Sequence, residues 1–209
     1  MPYNTRLTIF LVVAIFSVCV LLFFVFYGPI KRFLYKHFTV RMYYRNVRRV
    51  TLDNDFYLIN DFMNRTADRE QFTIDHIMVG EKFIYVIRDR YYPGALSATE
   101  DDPKWIFYKG KKTRMIPNPL LMNHLRMERL SLLTNLDLKL FVSIVLINND
   151  CLMTPMQNTK CDSFLVSLKK FPELIKTLEN QKDVPPLNEE SVAVAVKDFA
   201  HLNLNSKNK

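Results

Sequence analysis

Leu7 to Tyr27 is a run of 21 residues without a charge, nearly all of them apolar or aromatic. At 1.5 Å of rise per residue, a helix of that length covers roughly 30 Å, the thickness of the hydrocarbon core of a bilayer. A helix buried in a soluble domain is seldom apolar on every face. A cleaved signal peptide needs a charged leading region, a shorter apolar stretch and small residues at a cleavage site. Here only Arg6 precedes the run, and bulky Phe23, Phe24, Phe26 and Tyr27 close it. Val18 beside Cys19 is also poor context for lipid attachment. The run therefore reads as one transmembrane helix, residues 7–27, behind a short tail, residues 1–6.

The charges give it a direction. Lys31, Arg32, Lys36, Arg41, Arg45, Arg48 and Arg49 follow the run, against Arg6 alone before it. An excess of Lys and Arg marks the cytoplasmic side. The expectation is a single-pass protein of the cell membrane, N-terminus outside and everything after the span in the cytoplasm. The formal net charge of +8 resembles a nucleic-acid signature until it is located along the chain. No Asp or Glu occurs before Asp53, and eight of the 29 basic residues precede residue 51, leaving 21 basic residues against all 21 acids. Beyond Val50 the chain is formally neutral. The basic excess belongs to residues 28–50, which alternate bulky and basic side chains. They read as an amphipathic juxtamembrane helix attracted to lipid headgroups by ~1 kcal/mol per basic residue, in preference to a nucleic-acid arm.

Removing the first 50 residues leaves 159, enough for one domain with one core. Cys19, Cys151 and Cys161 form no disulfide framework and no CxxC pair, which agrees with a reducing compartment and against a zinc site. Along this domain, Phe56-Tyr57-Leu58-Ile59 is a β-like run ended by Asn60-Asp61. Thr73–Val79 and Phe83–Asp89 flank a Gly80-Glu81-Lys82 turn and read as a hairpin whose second strand is apolar on both faces, hence central in a sheet. A loop with Pro93-Gly94, a strand around Trp105–Tyr108 and a turn at Lys109–Lys112 follow. Asn118-Pro119 opens a helix to about Thr134, with Leu121, Leu125, Leu130 and Leu133 near helical period. Strands at Leu140–Ile147 and Ser163–Leu168, helices at Pro172–Leu178 and Glu189–Leu202, and a disordered tail from Asn203 complete the chain. Paired strands followed by alternation with helices predict an α/β domain over 51–180, a mixed central sheet flanked by helices, with residues 181–209 as a C-terminal helix and tail.

Four glycines, at 28, 80, 94 and 110, exclude a Gly-rich phosphate cradle, and His37, His76, His124 and His201 lack metal-ligand spacing. What remains is the hairpin and its sequel. Ile74-Asp75-His76, then Phe83 to Ile87, Tyr91-Tyr92-Pro93-Gly94, Trp105, Lys111-Lys112 and Asn118-Pro119-Leu120 stand in one order, with Tyr57 to Asp61 as a first strand. In that order and spacing the chain resembles the nuclease-related domain, NERD, a branch of the restriction-endonuclease-like PD-(D/E)XK superfamily. The resemblance runs roughly from residue 41 to 150, and N-terminal membrane anchors are common in the family.

The resemblance implies a restriction-endonuclease-like fold and a metal-dependent mechanism. An Asp on one strand and a Glu on the next hold a divalent cation, which takes oxygen ligands and stabilises charge developing at phosphorus. A Lys two residues after the Glu orients the attacking water. Asp75 matches the Asp as a vestigial ligand. Arg88 stands where the family has its Glu, Arg90 where it has its Lys, and Met122 where a Gln follows the Asn-Pro pair. An upstream helical Glu has no counterpart. A guanidinium in place of a carboxylate removes a ligand and repels a cation by ~4 kcal/mol at contact with an effective dielectric near 20. Asp89 alternates to the other strand face and needs a bulge to reach the site. Asp75 then reads as a structural acid paired with Arg88 or Arg90.

The expected function is binding or assembly at the membrane face by a catalytically inactive NERD-like domain. No cofactor is expected, and Mg2+ only if the domain is active. Arg88, Arg90, Lys111 and Lys112 are the phosphate or nucleic-acid candidates. Lys31, Arg32, Lys36, Arg41, Arg45, Arg48 and Arg49 are the membrane-surface set, and the residues name no protein partner. The alternatives are a metal nuclease with relocated acids and a membrane scaffold without nucleic-acid chemistry.

Overall fold

The computed structural model describes residues 3–65, 70–154, 156 and 159–205, without the side chains of 3–9, 24–26 and 28–38. The chain divides into two compact units, residues 1–42 and 43–209. One helix, α1 (Tyr3–Asp53), contains the expected span. Several side chains of that span lie outside the described residues. Among the described ones, no helix is long and apolar enough to cross a membrane.

In the larger unit, strands β1 (Tyr57–Arg65), β2 (Gln71–Val79), β3 (Ile84–Arg90), β7 (Phe141–Ile147) and β8 (Ser163–Ser167) form a five-stranded sheet in the order β1-β2-β3-β7-β8. The first two pairings are antiparallel and the last two parallel, so the sheet is mixed and β3 is its centre. Every residue of β7 is buried, as a strand covered on both faces requires. A separate three-stranded sheet is built from β4 (Ala95–Ser97), β5 (Lys104–Lys109) and β6 (Lys112–Pro117). Neither β4 nor β6 is expected from the sequence, because β4 is three residues long and β6 is largely exposed, with no apolar alternation. Gly94 precedes this sheet, and a Cβ there would collide with the Tyr108 carbonyl of β5.

Helices cover both faces. On one, Tyr43, Val47 and Val50 of α1 and Phe171, Ile175 and Leu178 of α3 (Phe171–Glu179) pack on Met78, Tyr85, Ile87, Val142, Ile144 and Leu146. The spacing 43, 47, 50 is one helical face, and Arg45, Arg48 and Arg49 are exposed. The stretch expected to be wholly juxtamembrane therefore supplies core from residue 43. On the other face, α2 (Pro119–Thr134) and α4 (Glu189–Leu202) place Met127, Leu130, Ala195 and Phe199 on Ile77, Val79, Ile84 and Val86.

Three expectations are corrected here. The inner face of α2 is Leu120, Asn123, Met127 and Leu130, while Leu125 and Leu133 are exposed. The polar Asn123 turns inward because its amide nitrogen donates to Val86 O at 2.8 Å, Ser143 Oγ at 2.9 Å and Ile144 O at 3.3 Å, joining α2 to β3 and β7. The strand β1 does not end at Asn60-Asp61. Asp61 adopts the left-handed conformation, φ 53°, and the ladder resumes beyond it in unchanged register, Asn60 opposite His76 and Phe62 opposite Ile74. Asn203 is not the start of a disordered tail: its Oδ1 accepts from Met63 N at 3.1 Å, and Leu204 N donates to Met63 O at 2.9 Å. Residues 206–209 of that expected tail lie outside the described set.

One half-buried carboxyl at the edge of this core is pH-sensitive. Glu179 of α3 accepts from Tyr85 Oη at 2.5 Å and from Lys82 N at 3.0 Å. Burial still outweighs those hydrogen bonds and raises its proton affinity above the usual value of 4.5. A folded chain that holds a proton more tightly than the unfolded one is stabilised at low pH and loses that contribution as pH rises through the raised value. Glu179→Gln is therefore expected to gain stability relative to the parent on going from pH 4.5 to pH 7. Denaturant midpoints of both proteins at the two pH values check this; an unchanged difference refutes it.

Candidate functional site

Asp75 sits where β2 changes faces. Phe72 and Ile74 lie in the same cluster as Ile77 and Val79, although strict alternation would place the two pairs on opposite sides of the sheet. The change in β2 comes opposite the left-handed Asp61 of β1. The β2–β3 ladder runs from Val79 opposite Ile84 to His76 opposite Ile87. Beyond that pair the side chain of Asp75 takes over: Oδ2 accepts from Asp89 N at 2.8 Å, and Oδ1 accepts from Arg88 Nη1 at 2.7 Å. Arg88 Nη1 also reaches Thr73 O at 3.3 Å. The pair is partly shielded, with side-chain exposures of 15% for Arg88 and 29% for Asp75.

Asp89 turns to the opposite face. Its Oδ2 is 3.0 Å from His76 Nε2, and His76 Nδ1 is 2.7 Å from Asn60 Oδ1. This chain of polar groups runs beside the Tyr44 ring, with side-chain exposures of 6% for His76 and 19% for Asp89. Asp89 is thus held away from Asp75, on the side of α1.

Around Asp75 the excess charge is positive. Arg90 is half-buried, and its Nη1 donates to Asp89 O at 3.2 Å. Arg126 on α2, which the sequence reading overlooked, donates Nη1 to Met122 O at 2.8 Å. Burial, followed by the charges of Arg88 and Arg90, pushes the proton affinity of Arg126 down to about 10. Arg88 is lowered too, chiefly by burial, against the favourable charge of Asp75. Among the described residues, the buried Nε atoms of Arg88 and Arg126 have no hydrogen-bond partner. A helical position four residues after Met122 was the available signal for Arg126, since i and i+4 share a face.

The other sequence candidates stand apart. Lys111 lies in the β5–β6 turn and Lys112 begins β6, both exposed, in the smaller sheet. Arg114 of β6 covers the Phe107 ring at 5.1 Å, and both it and Arg90 act electrostatically on Tyr92. Arg41, Arg45, Arg48 and Arg49 are exposed, whereas the side chains of Lys31, Arg32 and Lys36 lie outside the described residues.

The residues at the family's metal position do not fit a hard divalent cation. Both Asp75 oxygens are engaged, a guanidinium fills the place of the second carboxylate, and the nearest other acid faces His76. Among the described residues, no group of three or more His, Cys, Asp or Glu is placed to hold a metal.

No curated protein matches this chain. Among solved structures, the crystal structure of a protein of unknown function, AF1548, matches with 9% identity and a TM-score of 0.34. That match covers 64% of this chain and 54% of the other, so the chain spans about half of that protein's length. Residues 40–148 match the family model described as nuclease-related domain, NERD, and these make up half of the chain. On that match, the chain belongs to the nuclease-related domain family.

Proposed function

We propose that this nuclease-related domain binds without cleaving, and acts in binding or assembly at the cytoplasmic face of the cell membrane. The observation that carries the reading is the Asp75–Arg88 ion pair at 2.7 Å. It neutralises the one acid retained at the family's metal position and sets a fixed positive charge where a ligand carboxylate would stand. A metal nuclease needs the reverse, an oxygen-lined site of negative charge.

Support for the anchor comes from α1. Its described side chains from Phe10 to Phe23 are overwhelmingly apolar, and most are exposed, Phe10 at 72% and Phe16 at 69%. Apolar surface on every side of a helix is stable when lipid surrounds it. The exposed Arg41, Arg45, Arg48 and Arg49 suit anionic headgroups.

The test uses the full-length chain in lipid nanodiscs, incubated with plasmid and single-stranded DNA in Mg2+ or Mn2+. No cleavage is expected, and no metal heat by calorimetry. Arg88→Glu returns a carboxylate beside Asp75 and is expected to show Mg2+ binding where the parent shows none. Cleavage by the parent that disappears in Asp75→Ala would replace this reading with a nuclease of relocated acids. A C-terminal reporter active outside the cytoplasm would overturn the orientation.

A further inference from the structure

We infer that Arg126 completes, with Arg88 and Arg90, a site for the dianionic terminal phosphate of a phosphate monoester. The inference rests on the binding-without-cleavage reading and adds the ligand's chemical class.

The argument is a count of charge and of donors. Asn123 of α2 lies 2.8 Å from Val86 O of β3, and Arg126 reaches back along α2 to Met122 O, towards Arg88 and Arg90, which follow Val86 on β3; the charges of Arg88, Arg90 and Asp75 all act on Arg126 there. Three positive charges against one negative leave a surplus of two. Of the neighbouring charges, Arg129 pairs with Glu70 at 3.1 Å, and Asp89 acts on Arg88 from the opposite face, where its Oδ2 lies 3.0 Å from His76 Nε2, so it trims the surplus without cancelling it. A surplus above one matches a phosphate monoester, which carries about −1.5 to −2 near neutral pH, better than a phosphodiester with its single charge. The donors agree. Arg88 spends Nη1 on Asp75 and Thr73, and Arg126 spends Nη1 on Met122 O, while both buried Nε–H groups have no partner among the described residues. A buried N–H without a partner is costly, and a planar guanidinium presents its donors in a fork suited to phosphate oxygens. Burial first, and then the charges of Arg88 and Arg90, lower the proton affinity of Arg126, and a bound dianion relieves the second of these.

The position in the fold also fits. Arg88 and Arg90 are at the C-terminal end of β3, where it runs parallel to β7. Ligands of parallel sheets collect at that end of the strands.

The experiment titrates the full-length chain, in nanodiscs of neutral lipid, with inorganic phosphate, dimethyl phosphate and adenosine monophosphate, by calorimetry. Single-stranded DNA with and without a 5′-phosphate follows. Inorganic phosphate is expected to bind at least tenfold tighter than dimethyl phosphate, and the 5′-phosphorylated strand tighter than its hydroxyl counterpart. Adenosine monophosphate bound as well as inorganic phosphate assigns the site to the phosphate group itself; binding confined to the phosphorylated DNA assigns it to a nucleic-acid end. Arg126→Met is expected to weaken phosphate at least tenfold and Arg126→Lys less, while Arg129→Met leaves it unchanged. Equal affinity for phosphate and dimethyl phosphate, or no effect of Arg126→Met, overturns the inference and leaves the binding reading standing. Mg2+-dependent cleavage of the DNA would instead remove the binding reading on which the inference rests. If Arg126→Met does not fold, the phosphate against dimethyl phosphate ratio of the parent decides alone.

Discussion

Asn123→Asp is expected to cost about 4 kcal/mol or more, the largest single loss among the substitutions considered for this fold. The change alters shape hardly at all and replaces an NH2 by an oxygen. That NH2 faces the carbonyls of Val86 and Ile144 and the Ser143 hydroxyl, and Asn123 is 0% exposed. A carboxylate there meets two carbonyl oxygens that cannot donate to it. Typical domains have 5–15 kcal/mol in total, so the loss is a large part of the whole. At about 2–4 °C per kcal/mol for a chain of this size, the melting midpoint should fall by about 10 °C. Asn123→Leu, which leaves the carbonyls unpaired by α2 but introduces no charge, should lose less. The single tryptophan, Trp105, is 1% exposed and reports unfolding by its fluorescence. Equal losses for Asp and Leu would mean that the donated hydrogen bonds, which both changes remove, account for the whole effect and the added charge for none of it.

Asp75→Ala is the second large effect, about 3 kcal/mol. Two donors lose their acceptor together, Arg88 Nη1 and Asp89 N, and a half-shielded cluster of guanidiniums loses its carboxylate. Coupling separates the two contributions. If the ion pair dominates, adding Arg88→Met to Asp75→Ala recovers most of the loss, because a well-packed apolar pair replaces a buried ionic one at little cost. If the loss persists in the double variant, capping of the Asp89 amide beyond the ladder is the main role of Asp75. A fully stable Asp75→Ala would make the acid a bystander.

The framework was legible because period and punctuation agreed. Asn118-Pro119 marks the start of α2: Asn118 Oδ1 accepts from Leu120 N at 2.9 Å, and proline takes the first helical position. The run of Phe141 to Ile147, apolar but for Ser143, reads as a strand, and every one of its residues is buried. That Asp75 would pair with Arg88 or Arg90 was legible because adjacent antiparallel strands bring them close, and the pair formed is with Arg88. What escaped was set by tertiary contacts. A leucine count cannot show that Asn123 faces the core, since the carbonyls that hold it come from β3 and β7. Arg126 reaches the site only because α2 packs over β3. The passage of β1 through Asn60-Asp61 needs one left-handed residue, and turn-prone Asp is a residue that tolerates it.

The order of the strands has a further consequence during synthesis. The strands β1, β2 and β3 are joined by short connections, so they can pair as soon as they emerge. The edge of β3 that receives β7 must wait for residues 91–140 to be made. At about 5–20 residues per second, that interval is roughly 3–10 s. Throughout it, Ile84-Tyr85-Val86-Ile87 presents an open edge, a segment of high β-propensity without a charge, the kind that recruits a neighbouring nascent chain. This interval of synthesis therefore exposes the fold to aggregation on crowded polysomes, and slowing translation between β3 and β7 lengthens that exposure.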